Sequence, residues 1–268
     1  MNLVKLTMLI VPVTIFVAMM LAAYAGHRLS LRRASKVPAD IAVGAGAIDA
    51  AALGLLGLLL AFWFNVAATH LDLRRSLIVE EANAIGTAWL RLDLLPAEAR
   101  LASRDLFRAY VDGRLALTTT QPAGSPDATL DTKLEDLRTA IWATSVAAAP
   151  RCESQQAAML LLGSLNEMFD AGTRHDASFN AHTPTAIVVL LAAVAIVATV
   201  LVGYDLGRSK RFEWFHATLF AGVIASTIWV IYDLEMPRYG LIRVDDYDRT
   251  IREVREGFDR VPKPLHAA

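Results

Sequence analysis

Two short constellations place an imidazole beside a carboxylate: His70-Leu71-Asp72 and Arg174-His175-Asp176, with His182 seven positions beyond His175. Such spacing could supply two ligands of a metal ion or a general acid–base pair. No third ligand, nucleophile motif, phosphate-binding glycine loop or His-Glu-x-x-His accompanies either. No catalytic residue, metal site or cofactor is therefore expected. Cys152 is the single cysteine, which excludes an intrachain disulfide and a cysteine-based zinc site. A net charge of −1 without a long basic tract argues against a nucleic-acid partner.

A longer pattern carries a different chemistry. Asn65, Thr69, Asp72, Ser76, Glu80, Asn83, Thr87 and Arg91 recur every three or four residues. At 100° per residue they fall within about 80° of Phe62 on one side of a helix. Ala51, Leu55 and Leu58, N-terminal to Phe62 along the chain, lie within about 40° of it on the same face. The face is thus small and apolar, then aromatic, then polar. It could be the solvated side of an amphipathic helix. But Asn65 and Thr69 still belong to an apolar segment, where polar groups face a protein interior or a watery cavity. Arg74 and Glu81 sit about 100–120° round the helix, towards Ile78, Ile85 and Ala88. Unpaired buried charge is costly, so the two are expected to form a structural pair.

The elements that must position this face are legible in the hydropathy. The chain has 268 residues, 55% of them hydrophobic, against about 45–50% in ordinary soluble domains. Leu6–Ala25, Ala50–Thr69, Thr183–Tyr204 and Ala217–Tyr232 carry the excess, the last extended by Phe212, Trp214 and Phe215. About 20 apolar residues cross a bilayer core, so four transmembrane helices are expected. Tyr24, Tyr204, Trp214 and Tyr232 fit headgroup-level aromatic belts. The first span could instead be a cleaved signal peptide ending at Ala23-Tyr24-Ala25. Its long apolar core and the following Arg28, Arg32, Arg33 and Lys36 favour retention.

Segment 1–69 therefore reads as one transmembrane pair (spans about 6–25 and 43–69), and 183–232 as a second (about 184–204 and 212–232). Between them lies a polar helical domain, 70–182, and after them a polar tail, 233–268, with a short helix. From Leu60 the second span runs without Pro or Gly into the charged stretch as far as Gly86, so one helix from about Val43 to Leu92 is expected before Pro96. Leu101, Phe107, Tyr110, Val111 and Leu115 mark a next helix, and Leu130, Leu134, Leu137 and Ile141 another. A turn-rich stretch at 118–129 separates these two, and a further helix follows Pro150. No strand pattern occurs. The fold class is an all-α integral membrane protein whose spans extend into a polar helical domain. Charge leaves its orientation open. Arg28, Arg32, Arg33, Lys36, Arg208, Lys210 and Arg211 crowd the short loops, yet Lys5, Arg74, Arg75, Arg91, Arg174, Arg238, Arg243, Arg249 and Arg252 lie opposite.

The stretches "LLGLLLAF", "RRSLIVEEANAIGTAWLRLDLLP" and "YVDGRLA", with "VIYDLEMPRYGLIRV" at Val230–Val244, resemble the bestrophin-like domain family of bacterial and plant membrane proteins. Bestrophins proper are more distantly similar: pentameric ion channels with four spans per subunit, the second lining a pore with an apolar neck. Their Leu-Gly-Phe at the neck is similar to Leu60-Ala61-Phe62, which implies Phe62, and Leu58 one turn above, as neck residues. Gly54 stands where bestrophins place a bulky residue. The resemblance also implies a post-span acidic motif at Asp233, Glu235, Pro237 and Gly240. The acidic cluster that binds calcium in animal bestrophins is reduced here to Asp233, Glu235, Asp245 and Asp246, so calcium gating is not implied. The function implied is a homo-oligomeric channel subunit, a pentamer by resemblance. Its polar domain and termini would be cytoplasmic, in the bacterial inner membrane, with the bilayer and inorganic ions as partners. Asp72 and Glu80 would form acidic rings that lean it towards cations. A second reading is a membrane sensor or scaffold with an external helical binding domain, though nothing downstream resembles an output domain.

Overall fold

The computed structural model describes residues 3–33, 39–120, 128–181, 183–207, 212–238 and 240–259. Expectations resting on Lys36, residues 121–127, His182, Arg208, Lys210, Arg211 and Tyr239, or on the side chains of Lys5, Arg33, Asp245 and Asp246, lie outside them. The described residues form eight α-helices and no strand. These are α1 (Leu3–Arg33), α2 (Ala39–Arg91), α3 (Ala97–Thr120), α4 (Ala128–Ala148), α5 (Gln155–Asn180), α6 (Thr185–Leu206), α7 (Trp214–Glu235) and α8 (Asp245–Gly257). They divide into two compact units. The first comprises Met1–Leu71 and His182–Ile242, the second Asp72–Ala181 and Arg243–Ala268. The segment after the last span is thus shared between them.

The first unit holds the apolar helices. Among the described residues, four helices are long and apolar enough to cross a membrane. Lipid tails are as apolar as leucine, so such helices associate through close packing rather than hydrophobic drive. Glycines provide the closeness where α1 meets α6. A Cβ at Gly26 would overlap the carbonyl of Val200, and one at Gly203 would overlap the carbonyl of Ala23. Gly207 lies against Ser30 in the same way. Small residues, not bulk, weld this pair.

The second unit is an ordinary water-type core. Ile78, Ala82, Ile85, Ala88 and Leu92 of the α2 end are fully buried, as are Phe107 and Val111 of α3, Ile141 of α4, and Leu161, Leu165 and Met168 of α5. α2 runs unbroken through the charged stretch and ends where expected, in a 3₁₀ turn at Leu92–Leu94 with Leu95 extended before Pro96, since Pro disfavours helix in its predecessor. Ser154 caps α5, its hydroxyl accepting the Ala157 N–H at 3.1 Å. On α8, Phe258 stacks on Trp89 at 4.0 Å between centroids, and Arg255 donates two hydrogen bonds to Asp112, at 2.7 and 3.0 Å. The residues expected to mark the helix after Pro96 all lie on α3 but differ in burial. Leu101 is 66% exposed, because six residues from Phe107 place it about 120° off the buried face. Leu115, Leu130 and Leu137 are half-buried.

Gly203→Ala tests the α1–α6 contact. The added methyl meets backbone, which cannot rotate away, so a loss of about 1–3 kcal/mol is expected. It would be measured as a lower melting temperature in detergent, with Gly222→Ala, where a Cβ meets nothing within 4 Å, as the neutral control.

Candidate functional site

In the first unit, α2 separates neighbours in sequence. Leu56, Leu60, Trp63, Ala67 and Leu71 are buried, whereas Leu55, Leu58 and Phe62 are exposed at 48%, 52% and 61%. Ala51, Asn65 and Thr69 are exposed too. The implied neck residues and the two polar residues at membrane depth therefore share the open side. Thr69 satisfies itself, its hydroxyl donating to the Asn65 carbonyl at 2.8 Å. The Asn65 amide is what a purely lipid-facing surface would not carry.

On the buried side Trp63 Nε1 donates to Thr183 Oγ1 at 3.4 Å. Thr183 in turn donates to Glu235 Oε1 at 2.7 Å, and His70 Nδ1 lies 3.3 Å from the same oxygen. The rest of the post-span motif is a turn. Asp233 is 4% exposed and accepts the Leu241 N–H at 2.9 Å and the Ile242 N–H at 3.0 Å. A Cβ at Gly240 would overlap that carboxylate, so only glycine fits. Pro237 is buried beside it. Asp233 thus spends its oxygens on backbone.

In the second unit the exposed row of α2 continues as Asp72, Ser76, Glu80, Asn83 and Thr87. Two of its charges are partly answered. Arg75 lies 3.4 Å from Asp72, and Arg174 bridges Glu80 at 2.6 Å and Glu167 at 2.7 Å. Arg91 donates to the Leu160 carbonyl at 3.0 Å.

The structural pair needs correction. Glu81 is 1% exposed, but its partner is not Arg74. Arg114 Nε of α3 donates to Glu81 Oε1 at 2.7 Å, and His175 Nδ1 of α5 meets the other oxygen. Arg114 also reaches Asp176 at 2.7 Å. Arg74 instead donates to the Ser178 and Ala181 carbonyls at 3.2 and 3.0 Å, at the C-terminal end of α5, where carbonyls lack helical partners. Neither α3 nor α5 is near Glu81 in sequence, so helical spacing on α2 alone offered only Arg74. Burial pushes the Glu81 carboxyl up, but the Arg114 charge and the bonds from His175 and Arg114 overcome it and hold it at about 2. Tyr110 beside them is pushed up to about 12, mainly by burial.

Because the Glu81 pKa is depressed on folding, its stabilisation is complete above its ordinary value of 4.5 and is lost as pH falls from there towards about 2. Glu81→Gln should cost about 1.5–3 kcal/mol at neutral pH, since Arg114 loses its buried carboxylate partner and keeps only the more exposed Asp176. Thermal melts of the detergent-solubilised protein should show the gap between variant and wild type closing as pH drops through that window.

A family model for the bestrophin-like domain matches residues 12–247. Among proteins of curated function none matches. Among solved structures, a variant of a bacterial bestrophin homologue from Klebsiella pneumoniae matches with a TM-score of 0.66 at 13% identity, covering 91% of this chain and 98% of that one. A second variant of that homologue gives 0.62 at 14% identity over 91% and 98%. A further structure, described as a membrane protein, gives 0.65 at 13% over 92% and 99%. At such identity the likeness is one of fold, and it agrees with the all-α arrangement with four apolar helices. With its model spanning most of the sequence, this chain belongs to the bestrophin-like family.

Proposed function

We propose that the chain is one subunit of a homo-oligomeric ion channel, five copies around an axis, whose pore is lined by the exposed row of α2. The reading rests on one observation above all: Leu58, Phe62 and Asn65 share the open side of an apolar helix whose other side is already packed. Lipid could cover Leu58 and Phe62, but the Asn65 amide calls for water or protein at that depth. Copies of the row facing one another supply both. Leu58 and Phe62 then make an apolar neck that gates by dewetting or side-chain movement. Asn65 and Thr69 hydrate the adjoining stretch. Asp72, Glu80, Asn83 and Thr87 line the wide polar part, set in the cytoplasm of a bacterium beneath its inner membrane. Rings of carboxylate favour cations, and the pairing of Asp72 with Arg75 and of Glu80 with Arg174 dampens that preference. Membership of a family whose solved relatives include a bestrophin homologue supports the same reading.

Ion flux into liposomes carrying the purified protein tests it. Phe62→Ala should raise flux several-fold, and Glu80→Gln should lower the cation preference without closing the pore. Native mass spectrometry in detergent should show a homo-oligomer. A stable monomer, or a wild type and a Leu58→Ala/Phe62→Ala double variant that are both silent, would overturn the channel and favour a sensor or scaffold.

A further inference from the structure

Phe62 and Trp63 are adjacent on α2 and have opposite fates, one 61% exposed and the other 6%. They nonetheless touch the same space. An apolar cavity of about 150 Å³ is walled by Leu59, Phe62, Trp63, Thr183, Ile187 and Leu190, among others. Its wall therefore includes the ring implied as the neck and the indole behind it. The indole is not held by packing alone, because its N–H enters the chain from Trp63 to Thr183 to Glu235.

That chain ties three elements of the first unit to one carboxylate. Trp63 and His70 are on α2, Thr183 precedes α6, and Glu235 ends α7. Glu235 is 6% exposed. A carboxylate kept out of water is costly, and an apolar residue of similar size commonly serves stability as well or better. Its use here is positional. Thr183 has a single hydroxyl hydrogen, which it gives to Glu235, so its lone pairs are the only thing left for the indole. The indole in turn has a donor and no acceptor. The polarity of the chain is therefore fixed, from indole to hydroxyl to carboxylate.

We propose that Glu235, acting through Thr183 and Trp63, is a positioning residue for the neck. It holds the indole as the back wall against which the Phe62 ring is set. With the chain cut, the indole relaxes, the cavity changes shape and the Phe62 ring loses its defined position. This rests on the channel reading of the previous subsection, and it adds residues that lie off the pore-facing row.

The test is single-channel conductance in planar bilayers, with each variant made in the wild-type and in the Phe62→Ala background. Thr183→Val cuts the chain with little change of volume, and Trp63→Phe removes the N–H together with part of the indole; each should alter conductance by about twofold or more. The double variant should do no more than Trp63→Phe alone, because both break one connection. Thr183→Ser keeps the hydroxyl and should behave as wild type, whereas Glu235→Ala removes the acceptor and should alter conductance as Thr183→Val does. In the Phe62→Ala background every one of these differences should vanish, which a general loss of stability would not produce. If Phe62→Ala changes conductance while Thr183→Val and Trp63→Phe do not, or if their effects persist without the Phe62 ring, the positioning role is overturned and the channel reading stands. If wild type and the Leu58→Ala/Phe62→Ala double variant both carry no current, the channel reading falls and takes this role with it.

Discussion

The buried carboxylate of Glu81 governs the second unit. It draws Arg114 from α3 and His175 from α5 to one point of α2, and a charge so enclosed tolerates no partial arrangement. Because Glu81 must face that pair, Glu80 is turned about 100° away, onto the exposed side with Asn83 and Thr87. The exposed row is thus the complement of the anchored one. The first unit repeats the logic with an indole, since Trp63 facing inward leaves Phe62 outward.

One tripeptide shows how economical the anchoring is. Arg174, His175 and Asp176 are consecutive on α5, and each serves a different residue. Arg174 reaches Glu80 and Glu167, His175 reaches Glu81, and Asp176 reaches Arg114. The neighbouring acids Glu80 and Glu81 are therefore both met from a single turn of α5. In sequence this looked like a two-ligand metal fragment. Its residues instead fan out around the helix and satisfy charges, which is the commoner fate of such groups.

What was legible in the sequence was whatever depends on local periodicity. Hydropathy marked the four spans, and the 3.6-residue repeat marked the exposed row of α2 from Ala51 to Thr87, residue by residue. Pro96 was a local signal as well. Contacts between distant helices were not legible. Arg114 is 33 positions from Glu81, and nothing on α2 could point to it, so the nearest arginine on the same helix took its place. The post-span acids fall between the two cases. Resemblance marked Asp233 and Glu235 as a motif but not what they bind, and Asp233 proves to accept backbone N–H groups eight and nine residues on. Leu101 was a counting matter, six residues being the wrong step for one helix face.

The glycine contact between α1 and α6 has a bearing on how the protein is made. Gly26 and Gly203 fill each other's surroundings with backbone, yet roughly 180 residues separate them. At a synthesis rate of about 5–20 residues per second the two partners leave the ribosome on the order of ten seconds or more apart. During that interval the glycine surface of α1 lacks the helix it packs against in the finished protein. The whole of α3, α4 and α5 is translated before α6 arrives to cover that surface. The apolar unit is consequently completed late although its first helix is the first made, and only the α8 segment of the second unit follows it. A nascent chain stalled in the α5–α6 region would expose a helix surface shaped for a partner that does not yet exist.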